Sequence, residues 1–468
     1  MRLKSAALTI GVYLFCHAWQ AGAQKQSAPS GLPDAAPADA AAPTVFHHPD
    51  AAPYLVLGQA NIIFQAHAPF HSPYAGPNSL LARGEYKTSL LGTFYLGYQL
   101  NRNPRYATDA ILDVESSGGR GISEALGLAG FTNLDVVRNP TLGSKPYLAR
   151  YELHQVIGLS SKLVEVERTP FSLATQLPAR RLDLHVGRMG LPDFLDINSV
   201  GSDSHLQFLN WTADNNGAWD YAANTRGYTD AFVAEYVSGP ATVRYALAAM
   251  PKIANGTELQ YDFHRANGQN MEFELRRSAF AHREGAVRVL AYRNAANMGL
   301  YRTQNALAAA LGTAPSITAH PLQTTVKYGF GGNAEQQISH NARLYARFGW
   351  NEGQHESYAY TEVDQTVAGG GDYAMRHFHR ANDKAGITFI SNAIKRDHQA
   401  YLARGGLGFL LGDGKLHYAR EDIIESYYNL SAGHGVYYAL DAQFVDHPGY
   451  NQDRGPVLVE SVRLHVDF

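Results

Sequence analysis

The chain has 468 residues, of which 45% are apolar and 17% are charged, and its formal net charge at pH 7 is -3. Its mean hydropathy of -0.26 shows no excess of apolar residues. Beyond the N-terminus, no run approaches the roughly 20 consecutive apolar residues that a membrane-spanning helix needs. No dense basic stripe favours nucleic-acid binding. Two classes are left: a soluble, mostly β protein, or a membrane β-barrel, whose alternating strands average to modest hydropathy.

Residues 1–23 are predicted to be a secretory signal peptide. Arg2 and Lys4 precede a short apolar stretch, and Ala-Gly-Ala at 21–23 has the pattern of a cleavage site. The single cysteine, Cys16, lies within this segment. The predicted mature protein therefore has no disulfide, no thiolate metal site and no cysteine nucleophile.

Residues 24–53 are predicted to be a flexible lead-in, because their Ala- and Pro-rich composition cannot form a core. From residue 54 to residue 468 the pattern changes to short apolar and polar alternations separated by turn residues. This part is predicted to be a single β domain.

The clearest alternation lies at 86–100, where the even positions are mostly apolar and the odd positions include Lys87, Ser89 and Gln99. Period two over this length indicates a strand with one apolar and one polar face. An Asn- and Pro-containing turn follows, and 107–115 alternates again, so the two segments are predicted to form a hairpin.

Similar alternations recur in segments that carry charged residues on one face and apolar residues on the other. These segments are 148–159, 180–188, 341–350 and 435–445. In 148–159 the pattern places Ala149 and Tyr151 together on the apolar face. In a soluble protein all the apolar faces must pack on one another, whereas in a barrel they contact lipid and the charged faces line water. About 10 residues per strand, with turns and loops, predicts an antiparallel transmembrane β-barrel of even strand number in the mid-teens.

The segment 457–468 gives the sharpest indication of a barrel. It alternates regularly and ends on the aromatic residue Phe468. A last strand ending in Phe is typical of the signal that the outer-membrane assembly machinery recognises, so Phe468 is the predicted insertion signal and that machinery a predicted partner.

Several stretches resemble the OprB-type family of carbohydrate-selective porins. They are GQANIIFQAHAPFHSPYAGPNSL at 58–80, FYLGYQL at 94–100, GGRGISEALGLAGFTN at 118–133, FLNWTADNNGAWDYAANTRGYT at 208–229 and YYNLSAGHGVYYALDAQFVDHPGYNQDRGPV at 427–457. The resemblance implies a 16-stranded barrel in the bacterial outer membrane, with loops folded into a water-filled lumen. It also implies passive uptake of mono- and oligosaccharides, with small sugars and membrane lipid as partners.

The candidate pathway residues are polar or aromatic side chains on predicted inward faces or in two loops, at 118–133 and 208–229, that are expected to narrow the pore. They are Asp113, Glu115, Arg120, Arg150, Glu152, His154, Arg181, Asp183, His185, Asn216, Trp219, Asp220 and Arg226. Donors, acceptors and aromatic faces are what a sugar needs when it leaves water, and weak binding lets it move on.

Two alternatives stay open at this point. A porin of the same fold for organic acids or uronate oligomers would use basic side chains such as Arg120, Arg150, Arg181, Arg188 and Arg226. An exported β enzyme acting on polysaccharide would use paired acids such as Asp113 and Glu115.

Neither a cofactor nor a metal is predicted, since the 20 histidines are scattered and a wet barrel face explains them. Among them, His377 and His379 are expected to share a strand face. Monomeric and trimeric barrels fit the pattern equally.

Overall fold

The computed structural model describes residue 45 and residues 52–139, 142–277 and 283–468. The predicted signal peptide and nearly all of the predicted lead-in lie outside these residues. Within them, no helix has both the length and the apolar character needed to cross a membrane.

Sixteen antiparallel strands close into one barrel, each hydrogen-bonded to its neighbours in sequence order, and the last pairs with the first. The strands are β1 (Tyr54–His67), β2 (Glu85–Asn101), β3 (Thr108–Gly119), β4 (Tyr147–Gly158), β5 (Arg180–Met189), β6 (Thr229–Ser238), β7 (Ala241–Ala248), β8 (Asn267–Arg276), β9 (Gly285–Ala296), β10 (Thr325–Gln337), β11 (Ala342–Asn351), β12 (Gln365–Ala374), β13 (Lys384–Ala393), β14 (Glu421–Gly433), β15 (Val436–Asp446) and β16 (Val457–Asp467). The predicted fold is confirmed.

The two ends of the barrel differ. Connections at one end are mostly short, such as 239–240 and 434–435, and those at the other are mostly long, such as 190–228 and 394–420. Short turns face the periplasm and long loops face the outside in barrels of this type. One connection at the periplasmic end, 159–179, is long.

In the parts that the structure describes, the connections hold three helices, five single turns of 3-10 helix and two short strand pairs. The helices are α1 (Trp211–Asp214), α2 (Tyr301–Leu311) and α3 (Arg396–Ala403), and the 3-10 turns are Pro104–Tyr106, Ile122–Ala125, Leu191–Asp193, Met375–Phe378 and Pro448–Tyr450. The short pairs join Leu163–Glu165 to Gln176–Pro178 and Met250–Pro251 to Leu259–Gln260.

The two faces of the wall follow the predicted alternation. On β2 the apolar side chains of Leu90, Phe94 and Tyr98 are exposed on the outside, whereas Ser89 and Thr93 are buried inside. The same division holds on β3, β5, β11, β15 and β16. A continuous apolar outer surface on a closed sheet is the surface that lipid requires.

Two details of the strand predictions are wrong. Ala149 is fully buried while Leu148 is exposed, because the pairing of β3 with β4 shifts between Asp113 and Val114 and leaves Ala149 as an extra residue. Such a bulge interrupts period two. His377 lies in a 3-10 turn and His379 adopts the left-handed conformation after it, so neither is on a strand.

The barrel closes where the first strand, β1, meets the last strand, β16, and the residue after it. Phe468 exchanges backbone hydrogen bonds with Gly58 of β1, at 2.6 and 2.9 Å. A Cβ at residue 58 would lie 2.3 Å from Cε2 of the Phe468 ring. The ring therefore packs directly on the glycine, beyond the last residue of β16.

Replacing Gly58 with leucine is expected to weaken this closure. Overpacking of a filled site costs about 1–3 kcal/mol, so the folded barrel should lose stability by that order in urea titrations in detergent micelles. Gly92→Leu is the matched control, because a Cβ at the neighbouring outward position 92 meets nothing closer than 3.9 Å. Equal unfolding midpoints for the two variants would show that the Phe468 contact carries no closure energy.

Candidate functional site: the barrel lumen

The loop at 190–228 enters the lumen and is buried along almost its whole length. Inward side chains of the wall hold its backbone. Arg347 of β11 donates to the carbonyl of Ala213 and pairs with Asp196 at 3.0 Å. Glu425 of β14 accepts from the backbone N–H of Leu209. Further round, Arg463 of β16 donates to the backbone carbonyls of residues 204 and 207. The wall therefore fixes this loop from several directions.

Three predicted pathway residues in this loop, Asn216, Trp219 and Asp220, serve as anchors against β8 to β11. Asn216 donates through Nδ2 to a backbone carbonyl of β11 at 3.2 Å, and the Trp219 indole donates to Asn270 at 2.8 Å. Asp220 accepts from Lys327 at 3.1 Å. The Trp219 ring is 1% exposed, so it packs inside the loop rather than facing open solvent.

The second predicted loop, at 118–133, also folds inwards and packs against the first. Trp211 donates its backbone N–H to Phe131 and its indole N–H to the carbonyl of Asn133. Glu421 of β14 accepts from the backbone N–H groups of residues 129 and 130. Arg120 lies apart from the other candidates, at the outer end of the barrel, where it is largely exposed and pairs with Glu124 at 3.0 Å.

Arg150 of β4 is the centre of a contact between three segments. Its guanidinium donates to both oxygens of Asp193, at 2.7 and 2.8 Å, and to Asp113 of β3 at 3.2 Å. Two aromatic rings lie close to it, with centroids 5.0 Å (Phe171) and 5.1 Å (Tyr228) away. Such bidentate, charge-assisted contacts hold a geometry well, so Arg150 ties the loop at 190–228 to the wall.

Two further predicted residues lie beside this centre. The Glu115 carboxylate accepts from the hydroxyls of Tyr147 and Tyr228, the latter at 2.7 Å. Arg226 lies over the Tyr147 ring, 3.7 Å from its centroid. Glu115 and Arg226 therefore both contact Tyr147.

The remaining five predicted residues form one inward cluster on β4 and β5. His154 and His185 stack with ring centroids 4.3 Å apart. His185 contacts Glu152 at 2.6 Å, His154 lies 3.8 Å from Asp183, and Asp183 pairs with Arg181 at 2.7 Å. The described residues contain no group of three or more His, Cys, Asp or Glu arranged to hold a metal ion.

A second charged row, which the sequence analysis did not single out, continues round the inner wall from β6 to β10. Arg244 of β7 contacts Glu235 at 2.5 Å and Glu272 at 2.9 Å, and it also reaches Glu274. Arg288 of β9 joins Glu274 to Glu335 of β10. Residues of this row on β8 and β9 occupy alternate positions of their strands. The alternation of polar and apolar residues in the sequence could therefore have identified them.

Two buried loop carboxyls differ in their surroundings. Burial raises the pKa of Asp214 to about 8, against the opposing effect of Arg347. Burial acts in the same direction on Asp135, but the His205 imidazole and the Asn61 amide hold the pKa of Asp135 below its usual range. The pKa values of these two carboxyls therefore shift in opposite directions, although burial acts on both in the same direction.

The arrangement as a whole is a wall of paired charges with loops held against it. Arginine and carboxylate groups offer many donors and acceptors at the inner surface, and most of the arginines named above contact at least one carboxylate. Such a surface replaces the hydration of a polar solute without trapping an ion.

Comparison with known proteins is consistent with this geometry. The model of the carbohydrate-selective porin family OprB matches residues 110–468. The structure of OprB from Pseudomonas putida at high pH superposes with a TM-score of 0.67 at 15% sequence identity, covering 89% of this chain and 94% of that one. A search of curated protein sequences finds no match.

Two further solved structures align over a similar length but less closely. They are P. putida OprB at low pH, with a TM-score of 0.46, 12% identity and coverage of 89% and 92%, and the outer membrane channel DcaP of Acinetobacter baumannii, with a TM-score of 0.48, 9% identity and coverage of 89% and 97%. Because the family model spans most of the chain and the sixteen strands close into a barrel with an apolar outer face, this chain is a multi-pass β-barrel of the bacterial outer membrane and belongs to the OprB family of carbohydrate-selective porins.

Proposed function

We propose that this porin allows passive diffusion of neutral carbohydrates, both mono- and oligosaccharides, into the periplasm. The family description supports the solute class. The observation that carries the proposal is the pairing of basic side chains in and around the lumen. Arg150 contacts Asp113 and Asp193, and Arg181 contacts Asp183. A neutral sugar gains hydrogen-bonding partners from such pairs, whereas an anion meets a carboxylate beside these two guanidinium groups.

The same pairing bears on the anion-porin alternative. Of the other arginines that would suit anions, Arg120 pairs with Glu124, and Arg188 pairs with Asp230 on the outer face of the wall. An outward arginine at the lipid interface does not contact a solute in the lumen. Arg226 lies over the Tyr147 ring. The family and the barrel indicate a channel rather than the exported enzyme that the paired acids left open.

Liposome swelling with glucose and gluconate tests the proposal, because the two solutes differ little in size and by one charge. We expect faster swelling with glucose. Swelling with gluconate that equals or exceeds swelling with glucose would contradict carbohydrate selectivity while leaving the channel itself intact.

Removing one carboxylate from the Arg150 centre is expected to shift the channel towards anions. Asp113→Asn leaves Arg150 with one carboxylate partner in place of two, so the local potential becomes more positive. The reversal potential in a KCl gradient is expected to move in the anion-selective direction. The ratio of the liposome swelling rate with glucose to that with gluconate is expected to fall.

Asp230→Asn is the matched control for this variant. It removes the carboxylate partner of Arg188 on the outer face, so the same Asp-to-Asn substitution is made outside the lumen. A shift of equal size in both variants would show that overall charge, rather than the Arg150 centre, determines the selectivity.

The partners predicted for the chain remain part of this proposal. Sugars would pass along the charged wall, and lipid would contact the outer face. The assembly machinery would recognise β16 and Phe468, whose backbone also pairs with Gly58.

A further inference from the structure

The long connection at the periplasmic end folds into a β-hairpin, here called the exit hairpin and defined as residues 163–178. Its base pairs Leu163–Glu165 with Gln176–Pro178. The pairing continues as Val166 donates to the carbonyl of Thr175, and a last bridge joins Thr169 to Ser172. The tip is therefore Pro170-Phe171, several residues beyond the base.

The exit hairpin lies inside the barrel. The N–H of Leu173 donates to the inward carboxylate of Asp109 on β3 at 2.9 Å. A Cβ at residue 97 of β2 would lie 2.8 Å from Cδ1 of Leu173, so this side chain rests on the inner wall at Gly97. Ala174 and Leu177 pack against Val156 on the inner face of β4. The hairpin thus covers the inner wall from β2 to β4.

The tip reaches the middle of the barrel. Phe171 is 3% exposed, and its ring lies 5.0 Å from the Arg150 guanidinium carbon. It also lies near Phe194 of the inward loop, with ring centroids 6.4 Å apart. Phe194 in turn lies 4.7 Å from the His185 ring. An insertion from the periplasmic end therefore meets an insertion from the outer end at one aromatic contact.

We propose that the exit hairpin sets the solute size limit at the periplasmic half of the passage, with Phe171 as the residue that closes the gap to the inward loop. A barrel of sixteen strands encloses enough space for an aqueous channel when nothing fills it. The hairpin takes up part of that cross-section along β2 to β4. Conductance and size limit both follow the narrowest section, so both depend on the hairpin.

A shortened variant tests this proposal. Residues 166–175 are replaced by Asn-Gly, a two-residue turn that fits antiparallel strands, so that the base of the hairpin stays paired. Single-channel conductance in a planar bilayer is expected to rise about twofold, because the narrowest part of the passage becomes wider. In liposome swelling a trisaccharide should enter faster relative to glucose. Phe171→Ala is expected to give a smaller change in the same direction.

Phe378→Ala is the matched control, since Phe378 lies in another turn at the same barrel end and is 69% exposed. It should leave conductance and size limit unchanged. Heat-dependent gel mobility identifies folded barrel in every sample. A shortened variant that is folded but has the native conductance and the native trisaccharide rate would overturn the proposal. The inference depends only on the chain being a channel, so its failure would say nothing about carbohydrate selectivity, which the glucose and gluconate comparison tests.

Discussion

Replacing residues 196–224 with a Gly-Ser linker is expected to raise single-channel conductance several-fold. This part of the loop is almost entirely buried in the lumen, and the wall contacts it through Arg347, Glu425 and Arg463. Its removal opens the cross-section that a sixteen-stranded barrel leaves to water. The measurement is the current through single channels of the purified variant in a planar bilayer.

The barrel itself is expected to survive this change. The strand ladder supplies the backbone hydrogen bonds of the wall, and the charged side chains released from the loop become hydrated by the wider lumen. As a control, the exposed residues 321–324 of another outer loop are replaced in the same way, and conductance should not change. A conductance equal to that of the native chain in the 196–224 variant would show that this loop does not restrict the passage.

Arg244→Met is expected to cause the largest loss of stability of any single substitution considered. The Arg244 side chain is 1% exposed, and it contacts the carboxylates of Glu235, Glu272 and Glu274. Arg288 still contacts Glu274 in this variant, but the cation that joins all three carboxylates is lost, and their mutual repulsion is less well compensated. Loss of one partner of a buried ion pair costs about 3–5 kcal/mol, and the free energy of unfolding in micelles should fall by that order.

Lys252→Met provides the matched control for this stability measurement. Lys252 pairs with Glu258 at 2.7 Å, but both side chains are largely exposed, so water screens the contact and little stability is lost. An Arg244→Met variant that unfolds at the same urea concentration as Lys252→Met would mean that water already hydrates the charged row.

Most of the wall could be predicted from the sequence because a strand records its two faces in alternate residues. The segments at 86–100, 180–188 and 457–468 coincide with β2, β5 and β16 to within a residue or two. The bulge at Ala149 was missed because one extra residue inverts the alternation locally without any distinctive residue type. The apolar outer face of Leu90, Phe94 and Tyr98 followed from the same alternation.

The contacts inside the lumen could not be predicted in the same way. The pairing of Arg150 with Asp193, and of Glu425 with the backbone of residue 209, joins positions far apart in sequence whose proximity depends on how the loop crosses the barrel. Asp113 and Arg150 were each placed on an inward face, yet alternation does not tell which carboxylate meets which guanidinium. That choice depends on the register between strands.

The exit hairpin illustrates the same limit at the periplasmic end. Residues 159–179 show no long alternation, so nothing in their pattern indicated a connection that enters the lumen. Phe171 is a single aromatic residue between Pro170 and Ser172, and its importance appears only when Arg150 and Phe194 are seen beside it. The hairpin, β4 and the inward loop each contribute one residue to this contact.

The most direct measurement is ion current across a planar lipid bilayer containing the purified, folded chain. A wall whose apolar side contacts hydrocarbon and whose charged side encloses water predicts stepwise, ohmic current increments as single barrels insert. Folded protein, identified by its heat-dependent gel mobility, that enters the bilayer and yet carries no current would contradict an aqueous passage through the barrel.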